Sequence, residues 1–181
     1  TARGILNYKT PYLIAQNVQS IEGVSYEAFE GPIDLLPIQE FFFDQINRDN
    51  FSQHFILKSY EKLDKDTLQE AFDELCNVHD MLRVKYSIDE DGDVTQEILP
   101  LNTQISKINE YSSSDDIEES LKEIFMESSN SLNLDNLIEI NLIHQNDTSY
   151  LMLIIHHLII DGVSWNILIA DFTHIYNSLK A

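Results

Sequence analysis

The stretch Ile154-Ile155-His156-His157-Leu158-Ile159-Ile160-Asp161-Gly162-Val163-Ser164-Trp165 places two adjacent imidazoles just ahead of a carboxylate. A neutral imidazole accepts or donates a proton near pH 7, which suits general acid–base chemistry. The same residue types fit two blander roles. His156 and His157 could be satisfied polar groups that close a buried strand. They could also join Asp161 as metal ligands. Adjacent histidines on an extended strand point to opposite faces, which is poor geometry for a single ion.

The surrounding elements must hold these groups. Tyr150-Leu151-Met152-Leu153 opens an almost unbroken apolar run, the pattern of a strand buried on both faces. Asp161-Gly162 is a turn signal. After it the apolar residues change period: Trp165, Leu168, Ile169, Phe172, Ile175, Tyr176 and Leu179 fall at helical spacing. The expectation is strand, polar loop, helix, with the chemistry at the junction.

This segment resembles the HHxxxDG motif of the condensation superfamily of nonribosomal peptide synthetases, which shares its fold with chloramphenicol acetyltransferase. Val163-Ser164-Trp165, Ile167-Leu168 and Asp171 resemble the epimerization branch. The resemblance implies that His157 is the catalytic histidine, with His156 and Gly162 in the supporting loop. It also implies that Asp161 holds the loop through an arginine instead of touching substrate.

Two further segments carry the resemblance. Pro37-Ile38-Gln39 followed by Phe41, Phe42 and Phe43 is similar to the family's first core motif. Pro37 suits the first turn of a helix, and Phe41, Phe42, Phe43 and Ile46 are expected on one wide apolar face. His79-Asp80-Met81-Leu82-Arg83 is similar to the second core motif, and Arg83 matches the family arginine. Arg83 is therefore the expected partner of Asp161. Within Ser52-Gln53-His54 only Gln53 matches an Asn-Gln-Ser-like trio of the family.

The remaining chain reads as alternating elements. Phe51 to Tyr60 is an expected strand, with His54 at the surface or an edge. Asp66 to Asp80 is an expected helix with Asp66 and Gln69 as a capping box, and Cys76 as a small core residue on its apolar face. Arg83 to Ile88 and Val94 to Ile98 flank the acidic turn Asp89-Glu90-Asp91-Gly92-Asp93, which lacks the length and terminal Glu of a calcium-binding loop. Ser112 to Asp116 opens a second helix with Ile117, Leu121, Ile124 and Phe125 on one face. Leu137 to Gln145 is a strand expected to pair with the central one through Asn146-Asp147-Thr148-Ser149. Asp135-Asn136-Leu137 departs from the family's Gly-Pro-Leu. Residues 1–30 show no amphipathic period and read as a linker or N-terminal arm.

Composition bounds the partners. The chain has 181 residues, enough for one domain with a sizeable core, and 43% are hydrophobic. A formal net charge of -20, from 31 acidic and 11 basic residues, argues against nucleic acid and anionic membrane as partners. The lone Cys76 leaves no intrachain disulfide and fits a reducing, cytoplasmic setting. No signal peptide or membrane-spanning run is read at the start. Beginning at Thr1, the chain reads as part of something longer.

The expected fold is α/β: a chloramphenicol acetyltransferase-like half-fold over residues 31–181, with a mixed sheet and helices packed on it. In the family two such lobes form a V, and a tunnel between them admits the pantetheine arms of carrier proteins. The resemblance implies an N-terminal lobe, with the second lobe, its bridging strand and the catalytic glutamate supplied elsewhere. The implied reaction is epimerization at the α-carbon of an aminoacyl or peptidyl thioester carried on phosphopantetheine, with no cofactor or metal bound directly. The implied partners are a peptidyl carrier protein, the C-terminal lobe and neighbouring synthetase domains. Peptide-bond condensation and a non-catalytic carrier-docking module are the alternative readings. The chain alone is expected to be inactive.

Overall fold

The computed structural model describes residues 28–45, 51–114 and 116–181. The main sheet is built around β7 (Thr148–His156). Its apolar residues alternate between two cores. Leu151, Leu153 and Ile155 join the larger cluster, while Met152 and Ile154 join a smaller one on the other face. A strand apolar on both faces is stable only when both faces are covered. Two-sided cover therefore follows from the run Tyr150–Ile155.

The sheet order is β2-β7-β6-β5. β2 (Ser52–Ser59) and β6 (Ile138–Gln145) flank β7 antiparallel, and β5 (Ile108–Ser112) pairs with β6 in parallel. The sheet is mixed, as expected. The tight β6–β7 hairpin turns at Asn146, whose φ of 53° is a left-handed conformation that asparagine tolerates well. His54 lies on the edge strand β2, exposed, with its ring 4.4 Å from that of Phe125.

Helices α2 (Lys65–Val78) and α4 (Gly162–Lys180) pack beside each other over the larger core. Leu68, Phe72, Leu75 and Cys76 of α2 meet Trp165, Leu168 and Phe172 of α4 there. Burying each large apolar side chain stabilises by about 1.5–3 kcal/mol. Helix α3 (Ile117–Ser131) covers the other face with Ile117, Leu121, Ile124 and Phe125.

Several local expectations change. The cap of α2 is Asp64, whose Oδ2 accepts from Thr67 N and Oγ1, both at 2.8 Å, and not Asp66. Gln69 instead braces β5, accepting from Ile108 N and donating to Ser106 O. The helix ends at Val78, and a 3-10 turn (Asp80–Arg83) carries the chain into β3 (Val84–Ile88). β3, β4 (Val94–Ile98) and β1 (Gly31–Ile33) form a separate three-stranded antiparallel sheet.

In α1 (Pro37–Gln45) Phe42 is buried, Phe43 is partly buried and Phe41 is 54% exposed. Three successive helical residues turn through about 200°, so they cannot share one face. Ile46 lies outside the described residues. So does the expected arm up to residue 27. Its last residues are held: Phe29 N donates to Asp80 and Glu30 accepts from Leu101 N.

Candidate functional site

β7 ends at His156 and α4 begins at Gly162, so the polar loop spans the two elements as the change of period implies. Pairing with β2 sets Ser52 opposite His156 and Gln53 opposite Ile155. The two histidines diverge from here.

His156 turns into the core and is 3% exposed. Phe42 meets its ring edge-on at 5.6 Å, and Phe51 lies 6.1 Å away. Leu158 N donates to its Nδ1 at 3.3 Å. Burial foremost, then the neighbouring His157, pushes its pKa down to about 4. His156 is thus a neutral ring that braces the loop from beneath.

His157 is half-buried and stacks on Phe51, with ring centres 4.7 Å apart and planes 17° from parallel. Its backbone N–H donates to Phe51 O at 2.8 Å. Nδ1 lies 2.7 Å from Ile160 O. A carbonyl only accepts, so Nδ1 carries the proton and Nε2 of the neutral ring keeps its lone pair. Such a ring is set up as a base at Nε2. Gln53 Nε2 lies 2.9 Å from that nitrogen, and Trp165 Nε1 donates to Gln53 Oε1 at 2.8 Å.

Asp161 does a different job. Its Oδ1 accepts from Val163 N at 3.0 Å and from Ser164 N and Oγ, each at 2.7 Å. It is the N-cap of α4. The Ser164 hydroxyl foremost, then the Ser164 amide, holds its carboxyl below the usual range. A Cβ on Gly162 would meet open space, so its role is not close packing.

The expected Asp161–Arg83 pair is not formed. Arg83 is fully buried, and its guanidinium donates to the carbonyls of Leu99 (3.0 Å), Cys76 (2.6 Å), Asn77 (3.3 Å) and Phe29 (3.0 Å) and to Asp80 (3.0 Å). The last carbonyls of a helix lack intrahelical partners, and a cation there is favoured. Arg83 therefore closes the end of α2 and ties it to the chain leading into β1.

A hollow of about 330 Å³ lies beside the loop, between Val78, Met81, Ile160, Ser164 and Ile167. Among the described residues no group of three or more His, Cys, Asp or Glu side chains could hold a metal ion. None of their helices is long and apolar enough to cross a membrane.

Of the site residues read from sequence, His157 and Asp161 lie in the loop, His156 closes β7 and Gly162 opens α4, while Arg83 closes the C-terminal end of α2. The motif does not mark Phe51, which stacks on His157, or the Trp165 indole, which reaches His157 through Gln53. A buried indole N–H needs an acceptor, and that was the available signal.

Comparison with known proteins identifies the family and the fold. The condensation domain matches residues 30–181. Bacitracin synthase 3 of Bacillus licheniformis is 29% identical over 167 residues, 89% of this chain and 3% of its own length. The crystal structure of the epimerization domain from the third module of tyrocidine synthetase B superposes with a TM-score of 0.76 at 31% identity, over 83% of this chain and 35% of that one. The starter condensation domain of rhizomide synthetase shares the fold, with a TM-score of 0.71 at 15% identity over 82% of this chain and 36% of that one. The chain thus spans a small part of the curated relatives it matches and about a third of the solved domains. It belongs to the condensation-domain family, and its fold is the N-terminal half of the condensation/epimerization architecture of nonribosomal peptide synthetases.

Proposed function

We propose that this chain is the histidine-bearing lobe of an epimerization domain, and that His157 exchanges the α-proton of a carrier-bound aminoacyl or peptidyl thioester. The observation that carries this reading is the His157 ring itself. Its Nδ1–H is anchored on Ile160 O, which makes Nε2 the nitrogen that carries the lone pair and would take the proton. The 31% identity to a solved epimerization domain, against 15% to a starter condensation domain, favours this branch.

The chemistry follows from the substrate. A thioester acidifies the neighbouring α-proton. His157 Nε2 takes that proton, and the C–H electron pair moves onto the thioester carbonyl as an enolate. A proton returned to the opposite face inverts the centre. That second group belongs to the other lobe of the architecture. The substrate arrives on the phosphopantetheine arm of a peptidyl carrier protein, so this lobe needs no cofactor of its own.

The test gives the synthetase that carries this chain a carrier protein loaded with an L-aminoacyl thioester. D-product that vanishes in His157→Ala supports epimerization. Dipeptide formation identifies condensation instead, and carrier binding without turnover identifies a docking module. The 181-residue chain alone is expected to form no D-enantiomer, because inversion needs groups on both faces.

A further inference from the structure

The Gln53 amide stands between two rings contributed from more than 100 residues away. An indole N–H can only donate, so Gln53 must turn its oxygen to Trp165 and its NH₂ to His157. An amide NH₂ can only donate, so His157 Nε2 must accept. The Ile160 carbonyl can only accept, so His157 Nδ1 must donate. The bonds therefore run in one direction: Trp165 to Gln53 at 2.8 Å, Gln53 to His157 at 2.9 Å, His157 to Ile160 at 2.7 Å. Reversing one link would set two donors or two acceptors face to face.

Each member is mechanically held. Trp165 is 2% exposed, and Phe55 packs against it with ring centres 4.9 Å apart. Phe51 stacks on His157. Gln53 sits in the β2–β7 ladder opposite Ile155.

We infer that Gln53 is a positioning residue: oriented by Trp165, it acts with the Ile160 carbonyl to keep Nε2 the unprotonated nitrogen of His157. The proposal rests on His157 being the proton-exchanging group. In the resting state Gln53 N–H occupies the Nε2 lone pair, and substrate must replace that bond. Once protonated, Nε2 faces a donor instead of an acceptor. Trp165 opposes the amide rotation that would offer it the Gln53 oxygen. The arrangement thus favours passing the proton onward over storing it.

The direct readout is ¹⁵N NMR of the His157 ring in the 181-residue chain. The parent is expected to show a protonated Nδ1 and an unprotonated Nε2. Gln53→Glu replaces the donor by an acceptor, so Nε2 is expected to carry a proton at pH 7. Trp165→Phe frees the amide to rotate, so a several-fold rise in the Nε2–H population is expected. An unprotonated Nε2 in Gln53→Glu overturns the proposal. Should that variant fail to fold, an unchanged tautomer ratio in Trp165→Phe overturns it equally. A residue that merely packed would leave the Trp165→Phe spectrum unmoved.

In the synthetase, Gln53→Glu is expected to lower the kcat for epimerization by about 100-fold, the scale of one acid–base group, with KM little changed. A moved tautomer without any D-product from the parent synthetase rejects epimerization and keeps the positioning role. His157-dependent D-product with an unmoved tautomer does the reverse.

Discussion

His79 Nε2 lies 2.9 Å from Asp171 Oδ2, joining the residue that ends α2 to the middle of α4, 92 residues further along the chain. The contact links the second core motif to a residue of the epimerization-like signature. Both side chains are partly exposed, and such pairs contribute little. A double-mutant cycle with His79→Ala and Asp171→Ala is expected to give a coupling of about 0.2–1 kcal/mol in urea unfolding. A coupling beyond about 2 kcal/mol would show that the pair carries more of the helix packing than exposed pairs do.

Asp161 and Arg83 are expected to separate cleanly by melting. Losing a helix cap lowers Tm by about 2–4 °C in a chain of this size, which is the expectation for Asp161→Ala. The folded-state pKa of Asp161 is depressed, so its contribution is present above the ordinary carboxylate range. It is lost as pH falls through the folded value, and the Tm gap should close there. Arg83→Ala strands buried carbonyls and is expected to be strongly destabilising, by about 1–3 kcal/mol for each acceptor left unsatisfied. Arg83→Lys should not restore stability, since an ammonium cannot span that fan of acceptors. Arg83→Ala melting like the parent would remove the arginine from its structural role.

The neutral burial of His156 predicts acid sensitivity. Unfolded, the ring binds a proton below about 6.5; folded, only below about 4. Between those values the unfolded chain holds more protons, so stability rises with pH across the window and is lost as pH falls through it. The shift is worth about 3 kcal/mol. Urea unfolding at several pH values should show the parent losing about that much more than His156→Gln. Equal losses would mean that the ring is solvated.

Cys76 is expected to resist modification. Burial, then the Asp73 carboxylate, pushes its thiol up to about 12 against a smaller opposing pull from Arg83. Almost no thiolate exists at pH 8, and the sulfur is covered. A disulfide exchange reagent should react at the rate of global unfolding. Fast labelling in native buffer would contradict the core placement.

Much of this was legible in the residues because it depends on period. The switch from continuous apolar residues to helical spacing located β7, the loop and α4. The alternation of Ile138, Ile140 and Leu142 located β6. What failed depends on choices among partners close in space. Asp64 and Asp66 both offer a cap within one turn, and only the backbone path selects Asp64. Charge complementarity pairs Arg83 with Asp161, yet the open carbonyls at the end of α2 lie nearer to the guanidinium. The Gln53 contacts span 104 and 112 residues, beyond any local pattern.

Those separations have a kinetic consequence. The groups that set His157 arrive from β2, the loop after β7, and α4, and they meet only when the edge strand β2 closes on β7. Non-local pairing of this kind requires long chain closures before any contact rewards them. The His157 ring is therefore expected to be ordered late in folding, after β6 and β7 have formed their short hairpin. Any lesion that frays the β2 edge should scramble the imidazole first, while the α2–α4 layer still gives a native helical signal.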